Sequence, residues 1–190
     1  MERLAIGLVV ALQLGAGPAA AAGSVPAKLV PPAGFTAYFR AHAIGTQNYV
    51  CVATGSGLAW RFVGPQATLY VPFGPVAQQA TTHFLSPNPE EAGVLRATWQ
   101  GSLDTSRVWA KAIETVDDVA VTGTGNIPWL LLQRTGARRG PTGGAFLAQA
   151  TYVQRLNTSG GAAPSTGCSQ ATDAGTLVMV PYSTDYVFYR

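Results

Sequence analysis

Charged side chains make up only 11% of this 190-residue chain, less than half of the roughly 25% usual in soluble domains. Hydrophobic residues stand at 47%, so the shortage is not the low-hydrophobicity composition of a disordered chain. Long charged helices and coiled coils are excluded. His42 and His83 are the only two histidines, which leaves few general bases and few metal ligands to choose between. The only two cysteines, Cys51 and Cys168, show no Cys-x-x-Cys or Cys-x-His spacing, and metal sites need clustered ligands. No Gly-x-Gly-x-x-Gly turn follows a strand, so no dinucleotide and no other cofactor is implied. No Gly-x-Ser-x-Gly elbow supplies a nucleophile. The basic residues are scattered, their densest run being Arg138-Arg139 at a net charge of +3. A nucleic-acid surface needs a clustered basic stripe, so nucleic acid is not an expected partner.

What is present begins with residues 1–22, which read as an export signal. Arg3 stands in a short n-region, an apolar stretch runs from Leu4 to Gly17, and Ala20-Ala21-Ala22 fits a small-residue cleavage site. The stretch is too short, and too interrupted by Gly7, Gln13 and Gly15, to span a bilayer of about 30 Å. No later segment approaches transmembrane length. The expectation is a secreted or periplasmic chain starting near Gly23, of one-domain size. In an exported chain two cysteines most simply form one disulfide. Cys51 and Cys168 are 117 positions apart, so the bond would tie an early strand to the C-terminal third. Free thiols are the alternative.

Residues 23–34 form a Pro-rich, extended leader, with Pro26, Pro31 and Pro32 each disfavouring helix. From residue 35 to 190 the period is two. Phe35, Ala37, Phe39, Ala41 and Ala43 fall on one face, and Thr36, Tyr38, Arg40 and His42 on the other. Further strands are expected at 47–53, 58–62, 67–71, 81–85, 95–99, 129–134, 146–156, 176–180 and 186–189. Residues 107–119 also fit helical spacing, but no N-cap box opens a helix there, and strand is preferred for 107–115. Gly64-Pro65, Pro72, Gly74-Pro75, Pro87 and Gly140-Pro141 punctuate the pattern. The expected fold is a single all-β domain, a sandwich or partly closed barrel of short antiparallel strands. The Tyr182, Tyr186 and Tyr189 group is expected to pin the last strand, with Asp185 turning the chain before it.

Several islands recur together: Val25-Pro26, Leu29, Pro31-Pro32 and Gly34; Gln47, Tyr49 and Cys51; Ala67-Thr68-Leu69; Ile127-Pro128-Trp129-Leu130-Leu131-Leu132. Others are Gln154-Arg155-Leu156-Asn157-Thr158 with Gly160-Gly161 and Ala163-Pro164, then Cys168, and Val180-Pro181-Tyr182 with Asp185-Tyr186 and Phe188-Tyr189. Jointly they resemble an exported family of bacterial and fungal proteins known as domain-of-unknown-function family number 3455. The resemblance implies no activity. Some fungal members carry dehydrogenase names, a label the missing dinucleotide turn does not support here. The chain departs from the family's pattern at His83-Phe84, at the Ser86–Glu91 loop and at Asp104-Thr105-Ser106.

Candidate site residues are few. His83 lies beside a loop holding Glu90 and Glu91, and Asp104 follows another turn, so a small hydrolase using His83 with a carboxylate is one reading. Glu90 with Glu91, and Asp117 with Asp118, are sequence neighbours that point apart in extended chain, which makes them poor catalytic pairs. A metal site from His83, Glu90 and Asp104 lacks a recognised spacing. Trp109 shares a strand face with Arg107 and Lys111, opposite Val108, Ala110 and Ala112. A tryptophan on a wet face can stack on sugar rings. Trp60, Trp99 and Trp129 read as core, and His42 as a polar-face residue bonded to backbone. The leading expectation is a non-catalytic binding module for an extracellular polymer such as carbohydrate, or for a cell-surface component, using His83, Glu90, Asp104 and Trp109. A structural or surface protein without a small ligand stands beside it.

Overall fold

Strand alternation decides which side chains face inward. Along β1 (Ala37–Thr54), Ala41, Ala43, Gln47, Tyr49 and Cys51 are buried, while Arg40, His42 and Ile44 are exposed. The computed structural model describes residues 24–190; the export signal read at 1–22 lies outside the described residues. Seven further strands follow: β2 (Gly57–Phe73), β3 (Val76–Asn88), β4 (Val94–Gly101), β5 (Arg107–Val116), β6 (Trp129–Arg138), β7 (Tyr152–Gly160) and β8 (Leu177–Tyr189). Each pairs antiparallel with its sequence neighbours, and β8 returns to pair with β1, so the eight strands close a barrel in simple up-and-down order. The all-β expectation holds, and closure removes the sandwich alternative. Residues 107–115 are strand; the only α-helix among the described residues is one turn, Val119–Thr122.

The strands are longer than the sequence punctuation suggests. Residues 35–43 and 47–53 merge into β1 through Gly45, where a Cβ would collide with the backbone of Gln66 and Ala67 on β2. Glycine here permits close strand approach instead of ending the strand. Residues 58–62 and 67–71 merge into β2, and Gly64-Pro65 marks a bulge: Asn48 faces Gly64 and Tyr49 faces Phe62, with Val63 extra. Residues 176–180 and 186–189 merge into β8 through Pro181. The last β7 pair is Gly160 with Tyr182, so beyond it the missing N–H of Pro181 removes no ladder bond on that side. Residues 146–156 do not form one strand, because Leu147–Gln149 is a 3-10 turn before β7.

Eight strands leave an interior just wide enough to fill with side chains or to hold one small ligand. This barrel is filled at one end and leaves a space at the other. At the end holding the β4–β5 turn, Leu69, Trp99, Val108, Leu147 and Phe188 pack solidly. The β6–β7 connection plugs that end, held where Asp104 accepts the Phe146 N–H (2.8 Å) and Ser106 accepts the Leu147 N–H (2.9 Å). The leader packs on the outside of the wall. Leu29 is fully buried with Val116, Trp129, Leu131, Tyr152 and Leu156, and its carbonyl accepts from Gln154 at 2.6 Å. Outward positions of β1 read Arg40, His42, Ile44, Thr46 and Asn48, a mixed polar row unlike the apolar band of a lipid-facing barrel. No described helix is long and apolar enough to cross a membrane.

The wall opens at a seam between β4 and β5, joined by only four residue pairs, Ala97–Gln100 against Arg107–Ala110. Beyond these, Val94–Arg96 pairs only with β3 and Lys111–Val116 only with β6. The two strands diverge there, at the end of the barrel opposite the plug. β6 and β7 also share four ladder pairs, but backbone bonds from Arg134 to Thr151 and from Ile127 to Gly160 continue their contact at both ends.

Candidate functional site

The sequence-derived candidates do not converge. His83 projects into the barrel interior and is buried; its Nδ1–H donates to the Thr98 carbonyl at 2.9 Å. Burial lowers its pKa to about 3, so the ring is neutral and Nε2 is an acceptor. Glu90 accepts the backbone N–H of Ala137 at 2.9 Å. Glu91 forms a two-pronged pair with Arg96 (2.6 and 2.8 Å) and accepts from Asn88, contacts that hold its carboxyl down at about 2. Asp104 lies in the β4–β5 turn, a strand length of roughly 20 Å from the Glu90-Glu91 turn. Burial pushes its pKa up, but donors from Phe146 and Ser106 outweigh that and leave it lowered. Asp104 is thus a loop anchor, and no carboxylate is brought to His83 to orient it as a base.

Trp109 requires a correction. It does point outward, but it is only 2% exposed. Its indole N–H donates to Ser86 Oγ (2.8 Å), Ser86 bonds Thr98 Oγ1 (2.8 Å), and Thr98 donates to the Arg96 carbonyl (2.9 Å). With no free indole face, it offers no platform for sugar stacking. His42 pairs with Asp185 at 2.8 Å and not with backbone. Asp185 sits mid-strand, where it also accepts from Asn157 (2.8 Å), and makes no turn. Tyr182 and Tyr186 point into the barrel and Tyr189 out of it, bonded to Gln154. Trp60 is half-buried under the disulfide loop, its N–H on the Thr166 carbonyl, whereas Trp99 and Trp129 are core. Cys51 and Cys168 are bonded, with Cα atoms 5.5 Å apart.

What the structure assembles instead is a cavity of about 400 Å³ inside the barrel, running out through the β4–β5 seam. Leu95, Arg96 and Ala97 line it on one side of the seam, and Ala110, Lys111 and Ala112 on the other. Leu130 and Leu132 form an apolar wall, and His83, Trp99 and Tyr186 form the floor. His83 stacks on Trp99 at 4.3 Å between centroids, and Tyr186 meets both rings edge-on. Three alanines on facing strands leave the space open. Phe62 and Leu95, 45% and 59% exposed, give the opening an apolar rim.

The polar lining is unusual for a core. Gln47 Nε2, Trp99 Nε1, Tyr186 OH and the neighbouring Tyr182 OH are buried without a well-formed hydrogen bond among the described residues, although Tyr182 lies close to Gln47 and Tyr186, and Tyr186 close to Arg155. Buried polar groups are normally paired, and their grouping behind this cavity makes it the candidate site. Arg155, opposite Tyr186 on β7, also lines it and is steadied by two bonds from Nε and Nη2 to the Pro128 carbonyl (3.0 and 2.8 Å). Burial raises the Tyr182 and Tyr186 phenols, with Arg155 opposing, so both remain neutral hydroxyls. Among the described residues no cluster of three or more His, Cys, Asp or Glu is placed to hold a metal.

Residues 31–190 match the model of a protein family described as "Protein of unknown function (DUF3455)". The chain belongs to this family. No curated protein and no solved structure matches the chain. Every cavity residue lies within the span matched to DUF3455. Gln47, Arg155 and Tyr186 stood in the islands that carry the resemblance, yet the sequence reading did not select them. One signal was available: on the strand register Arg155 shares a face with Val153, the side that turns inward, and a cation on a core-facing position calls for a partner.

Proposed function

We propose that this protein is a binding module that takes one small, largely apolar molecule into the barrel through the β4–β5 seam. The observation that carries this reading is the 400 Å³ cavity, walled by Ala97, Ala110, Ala112, Leu130 and Leu132 and backed by Gln47, Trp99, Arg155 and Tyr186. The volume lies within the roughly 300–1,000 Å³ range of small-molecule sites, and an apolar lining with a few convergent polar groups is their usual chemistry. The cavity runs inward from the seam, which favours a small ligand over the extracellular polymer expected from the sequence. The disulfide is in keeping with work outside the cytoplasm, as the export signal implies.

The test is titration with the neutral fluorophore N-phenyl-1-naphthylamine, which brightens on entering an apolar pocket. Saturable one-to-one enhancement is expected, and Ala112→Trp, which fills the mouth, should weaken it at least tenfold. An absence of saturable enhancement in the parent protein, or enhancement unchanged in Ala112→Trp, overturns the reading.

A further inference from the structure

The charges around the cavity are of one sign. Its lining contains Arg96, Lys111 and Arg155 and no Asp or Glu. Arg96 is neutralised by Glu91 at 2.6 Å. Lys111 is exposed at the seam, where water satisfies it. Arg155 differs from both. It stands on the inward face of β7, directly between Leu130 on β6 and Tyr186 on β8, and makes no ion pair among the described residues. Its charge reaches the interior, where it acts on His83, Tyr49, Tyr182 and Tyr186. Arg155 is half-buried, and its guanidinium has no carboxylate to meet it, so an anion entering the cavity would find a charge-assisted partner there.

The neighbouring polar atoms select the same kind of group. Gln47 Nε2 and Trp99 Nε1 can only donate, and the Tyr186 hydroxyl can do so. Arg155 and Tyr186 are directly paired on adjacent strands and the Tyr186 hydroxyl lies close to the Arg155 side chain, so an oxyanion at the guanidinium is near Tyr186 as well. A ligand ammonium would meet Arg155 with like charge and leave these donors unsatisfied. Ala97, Ala110, Ala112, Leu130 and Leu132 ask for an apolar body. At about 400 Å³ the space is too small for a two-chain lipid.

We infer that the ligand is a small organic anion, a carboxylate head on a short apolar body, with the head at Arg155 and Tyr186 and the body along the alanine and leucine wall. This rests on the proposed interior site and specifies its ligand class. Nε and Nη2 of Arg155 are committed to the Pro128 carbonyl, so the guanidinium is already oriented before binding, which lowers the ordering cost of association.

The experiment uses the mature, oxidised protein and displacement of bound N-phenyl-1-naphthylamine by three probes of equal chain length: decanoate, 1-decanol and decylamine, at pH 7.5. Decanoate is expected to displace the fluorophore at least tenfold more effectively than decanol, with decylamine weakest. Arg155→Met should bring the decanoate-to-decanol ratio close to one, and Tyr186→Phe should reduce it several-fold. Equal potency of decanoate and decanol in the parent protein, a comparison that needs no variant to fold, overturns the anion assignment while fluorophore binding keeps the interior site. Preference for decylamine also overturns it. Failure of the fluorophore itself to bind removes both.

Discussion

His83 lies flat on Trp99, with ring centroids 4.3 Å apart and planes 9° from parallel, while its Nδ1–H is fixed on the Thr98 carbonyl. The pair sits between the packed half of the barrel and the cavity, and the imidazole has no water shell to support a charge. Its folded pKa of about 3 lies below the ordinary value of 6.5. The unfolded chain therefore binds the proton first, and stability is lost as pH falls below 6.5 and continues to fall towards 3. Between pH 7 and pH 5 the loss is about 2 kcal/mol. Asp104, Asp173 and Glu91 have lowered pKa values and act with the same sign, but below the ordinary carboxylate range near 4. Urea denaturation at pH 7, 6 and 5 should show the loss in the parent protein and a flat profile in His83→Gln. A slope unchanged by that substitution would assign the effect elsewhere.

The all-β class, the inward face of β1 and the disulfide could be read from alternation and cysteine count, because both depend on local spacing. The strand lengths could not. Gly45, Gly64-Pro65 and Pro181 are breakers by local chemistry, but each sits where the neighbouring strand makes the irregularity harmless, and only pairing reveals that. The site was hidden for a related reason. Trp109 was correctly placed on the outward face, yet outward does not mean exposed when the indole is bonded to Ser86 and flanked by Thr98 and Gly136 on the neighbouring strands. Arg155 and Gln47 become a site only when β1, β7 and β8 close around one space, a relation between positions more than a hundred residues apart.

Cys51 on β1 and Cys168 in the β7–β8 connection close a covalent loop across 117 positions. Cys51 also exchanges backbone bonds with Thr176 and Gly175, both at 2.9 Å, so the connection is anchored beside the bond. Cys51→Ser with Cys168→Ser should lower stability by about 2–5 kcal/mol. Thermal unfolding of that double variant, and of the parent with and without reductant, measures it. Two free thiols in non-reducing mass analysis of the parent protein would contradict the bond.

Asn88 is fully buried outside the wall and serves four partners. Its amide donates to Glu91 (2.7 Å) and to the Thr135 carbonyl and hydroxyl (both 3.2 Å), and its carbonyl accepts from the Glu90 N–H (3.1 Å). It fits because β6 carries Gly136 at the contact, where a Cβ would strike the Asn88 amide. Asn88→Ala should cost about 1–3 kcal/mol by stranding these groups, and Gly136→Ala about 1–3 kcal/mol by overpacking. Because both act on one contact, the double variant should cost less than the sum of the two. Additive losses in urea denaturation would show that Gly136 serves another purpose.

Leu29 decides whether the Pro-rich leader is a tether or part of the folded unit. Its side chain is fully buried against Trp129, Leu131 and Tyr152, its backbone N–H bonds to the Pro26 carbonyl at 2.8 Å, and its own carbonyl holds the Gln154 amide. Gln154 in turn accepts from the Tyr189 hydroxyl at 2.6 Å, so the leader is linked to the last strand as well as to β6 and β7. Leu29→Ala should remove about 2–4 kcal/mol of stability through lost burial and the cavity left behind. Hydrogen exchange should then quicken at Gln154 and along β6, where the leader lies. A variant as stable as the parent would mean that the leader lies on the wall without contributing to the core.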